Sequence, residues 1–242
     1  MRPATINHKL SDPLPYVLIN MAMTADGKIA TANRLVSSFG SRYDQAHLLQ
    51  LRATADAVMA GARTVDLNRV NQGPGSAKYR RLRLRRGLAE FNLRVIVSRS
   101  GTVNPNAEVF QRQFSPTIVL TTHRATATRR RKLRAAATEV KICGATEINF
   151  RRALCWLRAK WGVQRLLCEG GGELNDALFR AGLVSEVHLT ICPKIFGGRS
   201  APTIADGLGS GALDRAVRLE LKSARRRGDE MFLVYRVVRR ES

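Results

Sequence analysis

Short apolar runs recur along the chain and alternate with stretches of helical period. Residues 16–23 (YVLINMAM) read as a buried strand with one polar member, Asn20, leading into the turn Asp26-Gly27-Lys28. Ala46, Leu48, Leu49, Leu51 and Ala53 give residues 41–55 an amphipathic helix, with Ser41 as N-cap and Arg52 near the end, where an arginine often complements the helix dipole. Residues 56–60 (DAVMA), 93–97 (LRVIV), 117–120 and 140–143 predict further strands, and residues 124–137 and 149–161 predict helices. Between them, residues 66–90 show no clean period and are expected to form a long loop with at most one helical turn. Strand and helix alternate as far as a buried run at 163–168, which predicts a mainly parallel sheet. The pattern then changes. Residues 184–192 alternate, and 217–222 and 231–238 read as strands with no long helix between them, an antiparallel finish. His188 lies among alternating residues, which favours a cross-strand or solvent-facing role. These elements make one α/β domain over 15–240, a mixed sheet flanked by helices, preceded by an extension over 1–14.

The stretch around which this order is arranged is Glu169-Gly170-Gly171-Gly172-Glu173-Leu174-Asn175, where the 163–168 strand enters a helix. Three glycines permit positive φ and close approach to the backbone, and the free N–H groups of a helix start suit an anion such as a phosphate. Glu169 stands at the carboxyl end of its strand, where open α/β sheets place ligand groups. A structural glycine turn with a solvated glutamate is the alternative. Gly61, followed by Thr64 with its hydroxyl and amide, is a second glycine at a strand's carboxyl end. Asn20 either bonds the neighbouring backbone or points from its strand into a site.

Composition narrows the class. No apolar run approaches the roughly 20 residues of a membrane span, and residues 1–15 lack the apolar core of a signal peptide, so a cytoplasmic protein is expected. Cys143, Cys155, Cys168 and Cys192 contain no CxxC pair, which points to buried thiols rather than a zinc ribbon or disulfide framework. The formal charge of +22 is spread over clusters at 78–86, 129–134 and 225–227. It suits solvated basic faces, steering of a phosphorylated substrate, or nucleic-acid binding, although no stacking aromatics interleave with these runs.

Together, the ordered motifs resemble a known family, the reductase of riboflavin biosynthesis, with its dihydrofolate-reductase-like fold. That family occurs as the carboxyl-terminal domain of bifunctional bacterial deaminase-reductases and as a stand-alone archaeal and fungal enzyme. The motifs are Asn20 with Met23-Thr24-Ala25-Asp26-Gly27-Lys28-Ile29-Ala30, Leu51-Arg52-Ala53 with Asp56, Gly61 with Thr64-Val65, the 169–175 turn, and Pro193-Lys194-Ile195-Phe196-Gly197-Gly198. The resemblance implies NADPH bound by Ala22, Gly61, Thr64, Asn68, Gly170, Gly171, Gly172, Leu174 and Asn175, with its diphosphate on the glycine turn; charge adds Arg99 as a further cofactor contact. It implies a ribosylaminopyrimidine phosphate substrate held by Asp26, Arg52 and Glu169, with Asn20 and Glu169 as catalytic residues, no metal, and a homodimer. No strand-end acidic residue follows Val97, where Ser98-Arg99-Ser100 stands, which favours a 2′-phosphate and hence NADPH over NADH. Asn20 resembles the stand-alone archaeal enzymes, since the bifunctional ones tend to carry lysine there. The zinc-deaminase signature is absent from the sequence.

One segment departs from the family. Where its members show Asp-Asp-Pro-x-Leu-Thr, this chain has Asp66-Leu67-Asn68-Arg69-Val70-Asn71-Gln72-Gly73-Pro74-Gly75. Two alternatives therefore stand beside the riboflavin reductase: the same fold reducing another small substrate, and a basic nucleic-acid-binding protein on a non-catalytic reductase scaffold.

Overall fold

The computed structural model describes residues 13–34, 39–67 and 70–238. Residues 1–12 of the expected extension, residues 239–240 at the end of the expected domain, and Asn68 lie outside them. Nine strands among the described residues form one sheet: β1 (Tyr16–Thr24), β2 (Ala57–Gly61), β3 (Leu93–Val97), β4 (Thr117–Thr121), β5 (Glu139–Ile142), β6 (Arg165–Cys168), β7 (Glu186–Cys192), β8 (Leu219–Arg227) and β9 (Glu230–Val237). Their order is β5-β4-β3-β2-β6-β1-β7-β9-β8. Strands β1 to β7 pair in parallel, and β9 runs antiparallel to both β7 and β8, so the mixed, mainly parallel sheet with an antiparallel finish is what the chain forms. Among the described residues seven α-helices accompany it: α1 (Arg42–Arg52), α2 (Ala62–Leu67), α3 (Ala77–Arg85), α4 (Glu108–Gln111), α5 (Ala127–Ala136), α6 (Phe150–Trp161) and α7 (Gly172–Arg180).

The two-residue period of the strands sorts side chains between two layers. Ile19, Met59, Val95 and Leu166 turn to one face and pack against Leu154 and Leu157 of α6 and Leu174 and Leu178 of α7. On the opposite face Leu18, Val58 and Leu167 meet Leu51 of α1. Further along that face, Ala60, Ile96 and Val119 meet Val65 of α2, Phe110 of α4 and Leu133 of α5.

Residues 66–90 correct the expectation of a long loop, because they hold the end of α2 and all of α3. The residue that α3 buries is Arg83, which hides the helical period from a hydrophobic reading. Its Nη1 donates to the carbonyls of Arg52 (2.7 Å) and Ala55 (2.5 Å) and its Nε to that of Ala89 (2.8 Å). Asn92 Nδ2 donates to the same two carbonyls beyond α1, each at 2.7 Å. Hydrogen bonds from a charged group to carbonyls near a helix end are worth about 1.5–3 kcal/mol each, enough to make an arginine a core residue.

His188 is also corrected. It is buried, with Nε2 2.8 Å from Glu186 Oε1 and Nδ1 3.2 Å from His47 Nε2 of α1. Burial pushes the Glu186 carboxyl up, but hydrogen bonds from Lys222, His188 and Tyr16 outweigh it and hold the group at about 2. Burial, with His188 beside it, pushes His47 down to about 4.

These shifts set the acid stability. A histidine kept neutral in the fold takes up its proton more readily when unfolded, so stability falls as pH drops from about 6.5 to about 4. The Glu186 contribution, present above its unfolded value of 4.5, is lost below that, as pH falls towards 2. Thermal melts across these windows are expected to show both declines, and His47→Gln to flatten the upper one only.

Candidate active site

The turn after β6 is held by strand ladders on either side. Glu169 N–H donates to Met59 O (2.9 Å) and Gly61 N–H to Gly170 O (3.0 Å), so the end of β2 fixes the turn. Of the three glycines only Gly170 lies in the left-handed region (φ 81°), and the Gly170–Gly171 peptide bond is cis. Gly171 is the extended N-cap of α7 (φ −61°, ψ 177°) with no side-chain cap. A Cβ there would stand 3.5 Å from Thr64 Oγ1, which places the Thr64 hydroxyl against the turn. A Cβ on Gly172 would meet Thr203 O at 2.7 Å and Asp206 N at 2.9 Å, so Gly172 is small because residues 203–206 pack on the helix start.

Asn175 N–H bonds Gly171 O (3.0 Å), closing the first turn of α7. Helical geometry leaves the amides of Gly172, Glu173 and Leu174 without intrahelical acceptors. The Leu174 side chain is in the core, and Asn175 turns inward to Ile204 O (2.8 Å) and Cys168 Sγ (3.4 Å). Contacts to an anion here fall to main-chain N–H groups and the Thr64 hydroxyl.

Glu169 does not stand solvated at the strand end. Arg52, from the last turn of α1, chelates it through Nε–Oε1 (2.5 Å) and Nη2–Oε2 (2.6 Å), and each side chain is only 10% exposed. The third edge of the guanidinium, Nη1, donates to Gly73 O at 2.8 Å. The arginine thus serves an ion pair and the 70s segment rather than its own helix carbonyls. Asn20 lies beside this pair, since Ile19 and Cys168 are register partners on the parallel strands. It is buried, and its Oδ1 is unbonded among the described residues. Ala22 follows two residues on, half-buried and on the same face of β1.

Two candidate residues are occupied elsewhere. Asp26 accepts from the Thr24 hydroxyl (2.5 Å), Gly197 N–H (2.8 Å) and Phe196 N–H (3.2 Å), and these hold its pKa down, the threonine bond foremost. It ties the 24–28 turn to the 193–198 loop. Arg99, just past β3, pairs with Glu147 (2.5 Å) on the exposed surface beside a cavity of about 180 Å³ lined in part by Gly101, Asn104, Arg129 and Lys132. The hydropathy pattern passed over Gln72. It has no exposed surface, a φ of 57°, and neither end of its amide bonded among the described residues.

Comparisons with known proteins identify the family. The model of the RibD C-terminal domain matches residues 15–233. The 2,5-diamino-6-ribosylamino-4(3H)-pyrimidinone 5′-phosphate reductase of Methanothermobacter thermautotrophicus is 34% identical over 230 residues, covering 92% of this chain and 98% of that protein. The Aquifex aeolicus protein of the same name is 29% identical, covering 93% and 97%. A solved pyrimidine reductase-like protein from Corynebacterium diphtheriae shares the fold with a TM-score of 0.78 at 22% identity, over 93% of each chain. The chain belongs to the RibD C-terminal domain family and is a reductase of the riboflavin pathway.

Proposed function

We propose that the chain reduces the ribosyl group of 2,5-diamino-6-ribosylamino-4(3H)-pyrimidinone 5′-phosphate to a ribityl group, with NADPH as the reductant. The observation that carries the reading is the meeting, at one end of one parallel sheet, of an uncapped helix start and a buried carboxylate–guanidinium pair. Two relatives matched over nearly their whole length carry that substrate in their names. Neither a different small substrate nor a nucleic-acid role is favoured by those matches.

The residues fit the cofactor. A diphosphate suits the amides of Gly172, Glu173 and Leu174, the positive end of α7 and the Thr64 hydroxyl beside them. Gly61, tied to Gly170, leaves that approach clear, and Ala22 offers little bulk on the neighbouring strand. NADPH, when bound, supplies the hydride that reaches C1′ of the opened, imine form of the substrate. Glu169, oriented by its two hydrogen bonds from Arg52, accepts from the sugar hydroxyls and fixes which face of C1′ is presented. Asn20 holds the reacting carbon from the adjacent strand. The guanidinium of Arg52 turns to the substrate phosphate, while Asp26 shapes the substrate side through the loops it joins. A homodimer, which the resemblance implies, and a cytoplasmic setting, expected from the sequence composition, belong to the same proposal. Among the described residues no helix is long and apolar enough to cross a membrane.

Three outcomes follow from these assignments. Arg52→Ala leaves Glu169 buried and unpaired, so the melt is expected to fall by an amount equivalent to roughly 3 kcal/mol. The substrate KM should then rise by about tenfold or more, with the NADPH KM nearly unmoved, in steady-state kinetics. The glycines separate fold from site. Gly170→Ala forces a side chain into positive φ and is expected to cost about 1–2 kcal/mol in a denaturant melt. Gly171→Ala, unstrained at its φ, should melt like the parent yet bind NADPH more weakly by fluorescence titration. Finally, the exposed Arg99–Glu147 pair is worth little, which leaves Arg99 free to turn to a 2′-phosphate. Initial rates are expected to favour NADPH over NADH, and Arg99→Ala to shrink the ratio about tenfold through the lost charged contact.

A further inference from the structure

We propose that Gln72 is a specificity-determining residue that reads the hydrogen-bonding edge of the substrate's pyrimidinone ring. The inference rests on the substrate reading above and adds a residue that neither the family motifs nor the comparisons assign.

Four observations converge on it. Gln72 is wholly buried, and both Oε1 and Nε2 lack a partner among the described residues, so a donor and an acceptor are held out of water with no hydrogen bond from those residues to offset their desolvation. Its backbone sits at φ 57°, a region that a residue other than glycine occupies only when its surroundings impose it. The next residue, Gly73, is joined to the ion pair through Arg52 Nη1 to Gly73 O at 2.8 Å. Gly75 lies so close to α1 that a Cβ would meet Leu49 Cδ2 at 2.9 Å. The segment is therefore clamped against the flank of α1 that carries Arg52, one residue from a group bonded to the site.

A carboxamide offers one acceptor and a paired donor in a plane, which matches the adjacent C=O and N–H of a pyrimidinone lactam edge. With Glu169 on the sugar and Arg52 on the phosphate, the base is the part of the substrate left to be read. Gln72 becomes reachable when residues 72–75 part from α1. That movement requires the Arg52–Gly73 bond to break, and the same guanidinium is the one drawn to the incoming phosphate. Binding of the phosphate and exposure of the amide are coupled through that hydrogen bond.

Gln72→Met keeps the length of the side chain and removes both polar ends. The variant is expected to raise the KM for the pyrimidinone phosphate at least tenfold, with kcat changed less than threefold and the NADPH KM unmoved. Inhibition by ribose 5-phosphate, which has no base to read, should be unaltered, and the melting temperature should hold or rise because two unbonded polar atoms have gone. An unchanged substrate KM overturns the inference, as does an equal weakening of ribose 5-phosphate, which would show general damage to the loop. Should the parent protein show no turnover, calorimetric titration with the pyrimidinone phosphate replaces the kinetics. Binding by the parent that Gln72→Met abolishes would break the reductase reading and uphold this one, and no binding by the parent overturns both.

Discussion

Glu169 holds a carboxylate where a tenth of its side chain meets solvent, and the geometry around the site is set by what that requires. Removing such a charge from water is repaid only by a well-aligned partner, and Arg52 meets the condition with two parallel hydrogen bonds. Satisfying the pair brings three separate parts of the chain to one point: the end of α1, the end of β6 and the segment at Gly73. The backbone of β6 is pinned in turn, because Glu169 N–H and Gly170 O are spent on β2. The carboxylate is thereby fixed in place before any ligand arrives, and little ordering remains to be done on binding.

Much of the fold was legible because buried parallel strands are continuous apolar runs whose ends are marked by glycine or small polar residues. LRVIV at 93–97 is β3 to the residue, and the 169–175 stretch leads from the end of β6 into α7 as its pattern implied. What escaped has one physical character: polar side chains doing interior work. Arg83 made α3 look like a loop, since a buried guanidinium capping backbone carbonyls leaves no apolar stripe to find. Arg94, central in β3, is likewise buried and bonded to the carbonyls of Val109, Arg112 and Ser115. His188 looked like one member of an alternating strand, and its burial depends on His47, distant in sequence. The glycine turn was located correctly but explained too uniformly. Gly170 needs its φ, Gly171 faces Thr64, and Gly172 makes room for residues 203–206.

The two faces of the sheet divide the labour. The face under α6 and α7 is almost wholly apolar, and through Leu174 and Leu178 it anchors α7 so that the helix start cannot drift from the turn that feeds it. The face under α1 carries Asn20, Glu186 and His188, which β parity directs the same way, and Glu169, one residue past β6, which Arg52 of α1 pairs on that side. Concentrating the polar groups on one layer confines the cost of desolvation to the region where a ligand can offset it. It also explains how α1 and its cap combine N-capping by Ser41, packing by Leu51 and the ion pair at Arg52 within one short helix.

The formal charge of +22 takes on a physical meaning once the interior arginines are set apart. Burial lowers Arg83 and Arg94 to about 10, still well above neutrality, so both remain charged while acting as backbone caps. Their charge is part of the architecture. The remaining excess lies largely at the surface, where screening at physiological salt confines each charge to roughly 8 Å. Across that range scattered cations cannot select one anion from another, but their sum raises the local concentration of any phosphorylated molecule. Both molecules of the proposed reaction are phosphorylated, so one basic surface attracts cofactor and substrate together. In that proposal discrimination is left to short-range contacts: the main-chain amides of α7 for a diphosphate, and the Arg52–Glu169 pair for a phosphorylated sugar.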